Sequence, residues 1–397
     1  MPGLTPFLAI MVLTQTLLGA AYNVAGVLAP VAAPDLGYSI AALGPYSVIL
    51  AVASLVGGML IDGIMRRYGA TRTFQVAIAM TCAGVVCPAS GHAWVVMLSP
   101  VLVGFAGGMI MPCVLHLIAR VTPPERSGMV MAINQCGMPA GFGLAGVAFP
   151  WLLTMMNWRW TLLVLGVALL TAIPLMQWMR ERLDSDRDPA APLGGKAFAE
   201  PMRMAWTTPD LRLLGWLAFS FMCVQWSFVT YLVSYVKIDL QFSHAAAGSA
   251  LLAAQMTAVV SRLYFGWLLD RIGRHFLMLG AIGTCGGVAA IILGLATPQW
   301  SYTAVVASAA LCAGFTMGWN AVYFAAIRKF APEGRSGTAA GGTQIFTMVG
   351  SGVGPMIFAG ILSSSGSYAT GFMVTAIFSL VMGARLLWRD YTMRTRT

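Results

Sequence analysis

Charge is what this sequence has least of. Of its 397 residues only 9% are Asp, Glu, Lys or Arg, and only 13 are acidic. A soluble globular chain carries roughly a quarter charged residues, so a water-bathed globule of this size is excluded. Histidine is scarce, with four residues, and the seven cysteines (Cys82, Cys87, Cys113, Cys136, Cys223, Cys285 and Cys312) form no Cys-x-x-Cys and no Cys/His ligand spacing. A metal centre is therefore not expected, and the thiols read as small buried apolar groups inside apolar runs. Nucleophile, phosphate-binding and cofactor motifs are missing as well, so no enzymatic chemistry and no cofactor are expected.

Apolar length is what the sequence has in abundance. Hydrophobic residues make up 58% of the chain, and the mean hydropathy is +0.79. A helix that crosses a bilayer needs about 20 mostly apolar residues. Twelve runs qualify, near 6–33, 41–64, 73–91, 94–119, 128–153, 160–179, 211–236, 245–269, 275–296, 300–326, 337–362 and 367–388. They lack the ten-residue alternation of barrel strands, so the fold class is all-α integral membrane. The first run has no basic segment ahead of it and is too long for a secretory signal.

The formal charge of +10 belongs to topology. With both termini on the cytoplasmic side, 20 of the 23 Lys and Arg fall on that face. Arg159 and Lys237 fall opposite, and Arg262 falls inside a run. This is the positive-inside bias, which predicts a multi-pass protein of the inner membrane with the lipid bilayer, and no nucleic acid, as its partner.

The longest polar stretch divides six runs from six, predicting an N-terminal bundle over 1–180, a cytoplasmic loop over 181–210 and a C-terminal bundle over 211–397. The halves also repeat. Gly58-x-x-x-Asp62 recurs as Gly266-x-x-x-Asp270, and Arg126-Ser127-Gly128 recurs as Arg335-Ser336-Gly337, at offsets of 208 and 209. Gln135, Gly141 and Gly143 fall on Gln344, Gly350 and Gly352. Two stretches sharing one offset mark a duplicated six-helix unit.

Gly266-Trp-Leu-Leu-Asp270-Arg271-Ile-Gly273-Arg274 resembles the signature loop of the major facilitator superfamily. The first copy, Gly58 through Asp62 to Arg66 and Arg67, keeps the residue types at different spacing, and Gly137-Met-Pro139-Ala-Gly141-Phe-Gly143 is similar to that family's glycine/proline helix. The resemblance implies two pseudo-symmetric six-helix bundles, the major facilitator fold, acting as a monomeric transporter. Superfamily members bind substrate near the bilayer midplane. Asp62 and Asp270, with Arg66, Arg67, Arg126, Arg271, Arg274 and Arg335, are expected to form a gate of inter-helix ion pairs. Setting topology is the alternative role for these charges.

Arg262 is the chemistry-bearing residue. It stands eight positions before Asp270, about 12 Å inward from the helix end, where a charge is costly and by default functional. Its guanidinium suits a carboxylate bidentately. All 13 acids map to loops or helix ends, so the substrate is expected to supply the counter-charge; a pair with backbone carbonyls or a neighbouring polar side chain is the alternative. Gln255 shares its helix face. Trp319, Asn320 and Tyr323, with Gln225 and, from the first helix, Gln15, Tyr22 and Asn23, complete an apolar wall with a few polar groups. Packing between helices is the other reading of each aromatic.

Arg262 is similar to the helix-8 arginine that binds substrate in the monocarboxylate and oxalate/formate branches, and Trp319/Tyr323 to the aromatics that close on the anion. Lys and Arg are absent from 337–362 and Ala258 stands where an acid precedes the arginine, favouring a single carboxylate and arguing against that branch's proton coupling. A cyanate-permease-like small anion also fits. His116 is the one candidate for carrying a coupled proton; a counter-anion is the other candidate for coupling. Efflux of apolar or cationic compounds and a non-transporting sensor are the competing readings. Ser99-Pro100, near where exporters of that kind carry an arginine, weakens the first.

Overall fold

The computed structural model describes residues 4–122, 127–177, 180–185, 187–190, 199–333 and 335–395. Among them every regular element is helical. The first half holds α1 (Leu4–Asp35), α2 (Leu43–Tyr68), α3 (Ala70–Val86), α4 (Ala93–Val121), α5 (Ser127–Gln135), α6 (Gly137–Leu152), α7 (Trp158–Gln177) and the one-turn α8 (Arg180–Leu183). Then follow α9 (Ala199–Thr207), α10 (Pro209–Ser234), α11 (His244–Ile272), α12 (His275–Gly294), α13 (Tyr302–Gly318), α14 (Asn320–Phe330), α15 (Ser336–Ser365) and α16 (Tyr368–Arg394).

Among the described residues, eleven stretches are long and apolar enough to cross a membrane, α13 and α14 counting as one. The fifth run, expected unbroken over 128–153, is split at Cys136 into α5 and α6. Pro139 has no N–H to offer the Gln135 carbonyl, so the ladder lapses there. A second break falls at Trp319, between α13 and α14. The polar stretch expected as loop also contains helix, since α9 packs on α15: a Cβ at Gly342 would lie 2.0 Å from the Pro201 carbonyl and 2.9 Å from Ala205.

The chain divides into two compact units, one of residues 1–38 and 49–197, the other of 39–48 and 198–397. In the first unit, α1 meets α6 through Gly19 and Gly141, and α2 meets α4 through Gly104 and Gly108. In the second, α11 meets α13 through Gly314 and Gly318, and α10 meets α15 through Gly350 and Gly354. Small residues that let backbones approach drive helix association where no water is displaced. Helix ends are closed by ordinary means: Ser243, Ser301 and Ser367 accept from Ala246, Ala304 and Thr370 amides, and Gly273 and Gly366 stop α11 and α15 in the left-handed region. Cys285 is exposed and Cys87 and Cys136 are half-buried, against the expectation that all seven thiols are buried.

Candidate functional site

Arg262 projects from α11 in the second unit, and its Nε donates to the Met317 carbonyl at 3.1 Å. Met317 is the penultimate residue of α13, where helix carbonyls run out of intrahelical donors. The Asn320 side-chain amide donates to the same carbonyl at 3.1 Å. The break in the tenth span is thus what gives Arg262 its seat.

Next to that seat, Trp319 contacts both Gln225 and Tyr323. The Trp319 indole N–H donates to Gln225 Oε1 at 3.1 Å, reaching from the break to α10. Its ring meets Phe221 and Tyr323 edge-on, with centroids 5.5 and 5.0 Å apart. Trp319 and Tyr323 are fully buried, packed in the core of the second unit. The Tyr323 hydroxyl lies beside Thr343 without closing a hydrogen bond of normal geometry. Gln255 is 0% exposed, and neither amide atom finds a partner. A buried polar group left so costs about 1–3 kcal/mol.

The residues predicted from the first helix lie in the other unit. The Tyr22 hydroxyl donates to the Val103 carbonyl at 3.2 Å, in space left by Gly107, where a Cβ would sit 1.2 Å from it. Gln15 and Asn23 are buried, each with one orphaned polar atom, and His116 is half-buried on α4.

The signature-loop residues divide: Arg274 and Arg335 form ion pairs between helices, with Asp390 and Glu200, whereas Asp62 pairs within its own helix. Asp62 pairs with Arg66 one turn along the same helix at 3.2 Å, on an exposed surface. Asp270 is exposed, Arg271 stacks over Trp267 at 4.1 Å, and Gly273 (φ 67°) caps α11. Gly58 faces the Gly108 carbonyl and Gly266 faces Ala321. Arg67 lies near the Tyr68 ring, and Arg335 pairs with Glu200. Arg126 lies outside the described residues.

Three residues escaped the sequence reading. Asp184, buried, accepts from the Thr71 and Arg72 amides at 2.7 and 3.1 Å, capping the start of α3 where Gly69 has no side chain to do so. Asp390, also buried, pairs with Arg274 at the start of α12. The two acids lie 206 residues apart, close to the repeat offset, and that recurrence was the signal available. Asn134, on α5, is buried with both amide atoms orphaned.

A polytopic all-helical membrane protein is the class that this architecture defines. The chain belongs to the Major Facilitator Superfamily, a family of transporters, whose sequence pattern matches residues 11–355. A POT family transporter solved with 5-aminolevulinic acid superposes with a TM-score of 0.79 at 12% identity, over 97% of this chain and 96% of its own. A bacterial homolog of the human lysosomal transporter Spinster, inward-facing and unoccupied, gives 0.74 at 17% identity, over 98% of each chain. A "Multidrug resistance protein B homolog" of Mycobacterium tuberculosis is 33% identical over 101 residues, 25% of this chain and only 18% of that protein.

Proposed function

We propose that this transporter moves a small organic anion, a monocarboxylate above all, across the inner membrane by alternating access. Arg262 is the anchor for the carboxylate. The supporting observation is a guanidinium deep within α11, oriented by its Nε on the Met317 carbonyl, in spans whose interiors carry no acidic residue. Such a group prefers a planar anion that accepts two parallel hydrogen bonds. Asn320 and Trp319 hold the seat, and Gln255, Gln225 and Tyr323 offer neutral polar contacts. Tyr22, Asn23 and Gln15 serve the first bundle, and the signature-loop acids and arginines act in gating. Both termini are cytoplasmic, the bundles are 1–180 and 211–397 joined by 181–210, and the working unit is a monomer.

Counterflow in proteoliposomes with a panel of radiolabelled monocarboxylates tests the reading. Truncating one partner of a desolvated charged pair costs about 2 kcal/mol or more, so Arg262→Ala should lose affinity at least roughly thirtyfold. Arg262→Lys keeps the charge but loses the fork and should fall between. Anion flux at full affinity in Arg262→Ala refutes the anchor.

Efflux of apolar or cationic compounds is the second reading. It is favoured by the partial match to a multidrug resistance protein and by 26 methionines. Inhibition of counterflow by lipophilic cations, with no effect of carboxylates, selects it.

A further inference from the structure

α9 and the first two turns of α10 form a surface that the transport reading does not use. α9 is two-faced. Met204 and Ala205 are buried, and Pro201 and Ala205 press on Gly342 of α15. Met202, Arg203 and Trp206 are exposed on the other side, Met202 and Trp206 by 50% each. A short helix with one packed face and one apolar-basic face lies in the membrane interface.

Aromatic rings then run from that helix into the membrane. Trp206 stacks on Phe346 at 5.9 Å and stands 6.3 Å from Trp216, which stands 5.6 Å from Phe219. Trp216 is seven residues into α10, about 10 Å along its axis, and is still 41% exposed. Exposure at that depth is exposure to acyl chains.

Charge decides what sits above the chains. Arg203 and Arg212 are both exposed, and Arg212 Nη1 lies 3.5 Å from the Trp206 carbonyl, held against the end of α9. The two acids of this stretch are already engaged, Glu200 by Arg335 and Asp210 by Arg389 at 2.9 Å. Neither is left to neutralise Arg203 or Arg212. We propose that this surface binds an anionic phospholipid, its phosphate between Arg203 and Arg212 and an acyl chain along Trp216 and Phe219. A zwitterionic lipid would bring its own cation to two guanidinium groups and is disfavoured.

The test is native mass spectrometry of the purified full-length protein with dioleoyl phosphatidylglycerol or dioleoyl phosphatidylcholine. Phosphatidylglycerol should be retained in preference, and less of it as salt rises. Each arginine removed should weaken retention about fivefold, so Arg203→Ala/Arg212→Ala loses most of the preference, while Arg203→Lys/Arg212→Lys keeps much of it. Should the alanine pair fail to fold, the lysine pair and the salt titration of the parent carry the test. Equal retention of both lipids, or an alanine pair indistinguishable from the parent, overturns the proposal. So does full competition by millimolar glycerol phosphate, which would mark a site for soluble phosphates. Counterflow by the Arg262 variants is independent of all these outcomes.

Discussion

Asp184 holds the end of a helix that has no cap of its own. Gly69 precedes α3, and the carboxylate takes the amides of Thr71 and Arg72 in its place. Loss of such a cap costs about 0.5–2 kcal/mol, so Asp184→Ala should lower the thermal midpoint of the purified protein clearly. Asp184→Asn, which keeps one acceptor, should lower it less; equal midpoints for parent and alanine variant would remove the cap from the account. Glycine positions offer a matched comparison. A Cβ at Gly141 would lie 2.0 Å from the Thr16 carbonyl and 2.8 Å from the Ala20 amide, and backbone cannot step aside. At Gly360, also inside a helix, nothing lies within 4 Å. Overpacking costs typically 1–3 kcal/mol, whereas Gly→Ala in an open helix position gains up to about 1 kcal/mol. Gly141→Ala should therefore melt lower than the parent and Gly360→Ala no lower, by the same thermal measurement.

At the scale of elements, two spans are broken, and the break at Trp319 presents the Met317 carbonyl to Arg262. The break at Cys136 follows from Pro139, and Pro139→Ala restores a donor to the Gln135 carbonyl. Hydrogen–deuterium exchange of a peptide covering 132–143 should slow in that variant; unchanged exchange would mean that the approach of Gly137 and Gly141 to α1, not the proline, sets the break. How much of this was readable beforehand depended on range. Apolar length and the offset of 208–209 are local or periodic properties, and they placed the helices to within a few residues. The proline was visible, but a hydropathy window averages over a one-residue lapse, so 128–153 read as one span. The lapse at Trp319 has no proline at all, and its value to Arg262 lies in a carbonyl 55 residues away. Asp184 and Asp390 looked like solvated loop and terminal charges, because the helix starts they serve are distant in sequence. Asp62 and Asp270 looked like gate posts, yet Asp62 is matched by Arg66 on its own helix. Contacts between distant segments are where periodicity has no information.

For the whole molecule, topology turns on whether α5 and α6 together count as one crossing. Each piece alone is too short to span about 30 Å of hydrocarbon. End to end they run over 127–152, and at about 1.5 Å per residue that suffices. If they cross, there are twelve passages, both termini share a side, and the basic residues fall overwhelmingly on that side. If they do not, eleven passages remain, every segment beyond residue 127 is inverted, and the arginines of the second half face outward. Reporter fusions separate the two. Alkaline phosphatase joined after residues 92, 157 and 299 should be active. Green fluorescent protein joined after residues 122, 208, 333 and 395 should fluoresce. Eleven crossings would leave the results at 92 and 122 unchanged and reverse those at 157, 208, 299, 333 and 395. The discriminating sites therefore all lie beyond the break at Cys136, and the parity of one interrupted helix decides which side of the membrane the Arg203/Arg212 surface faces.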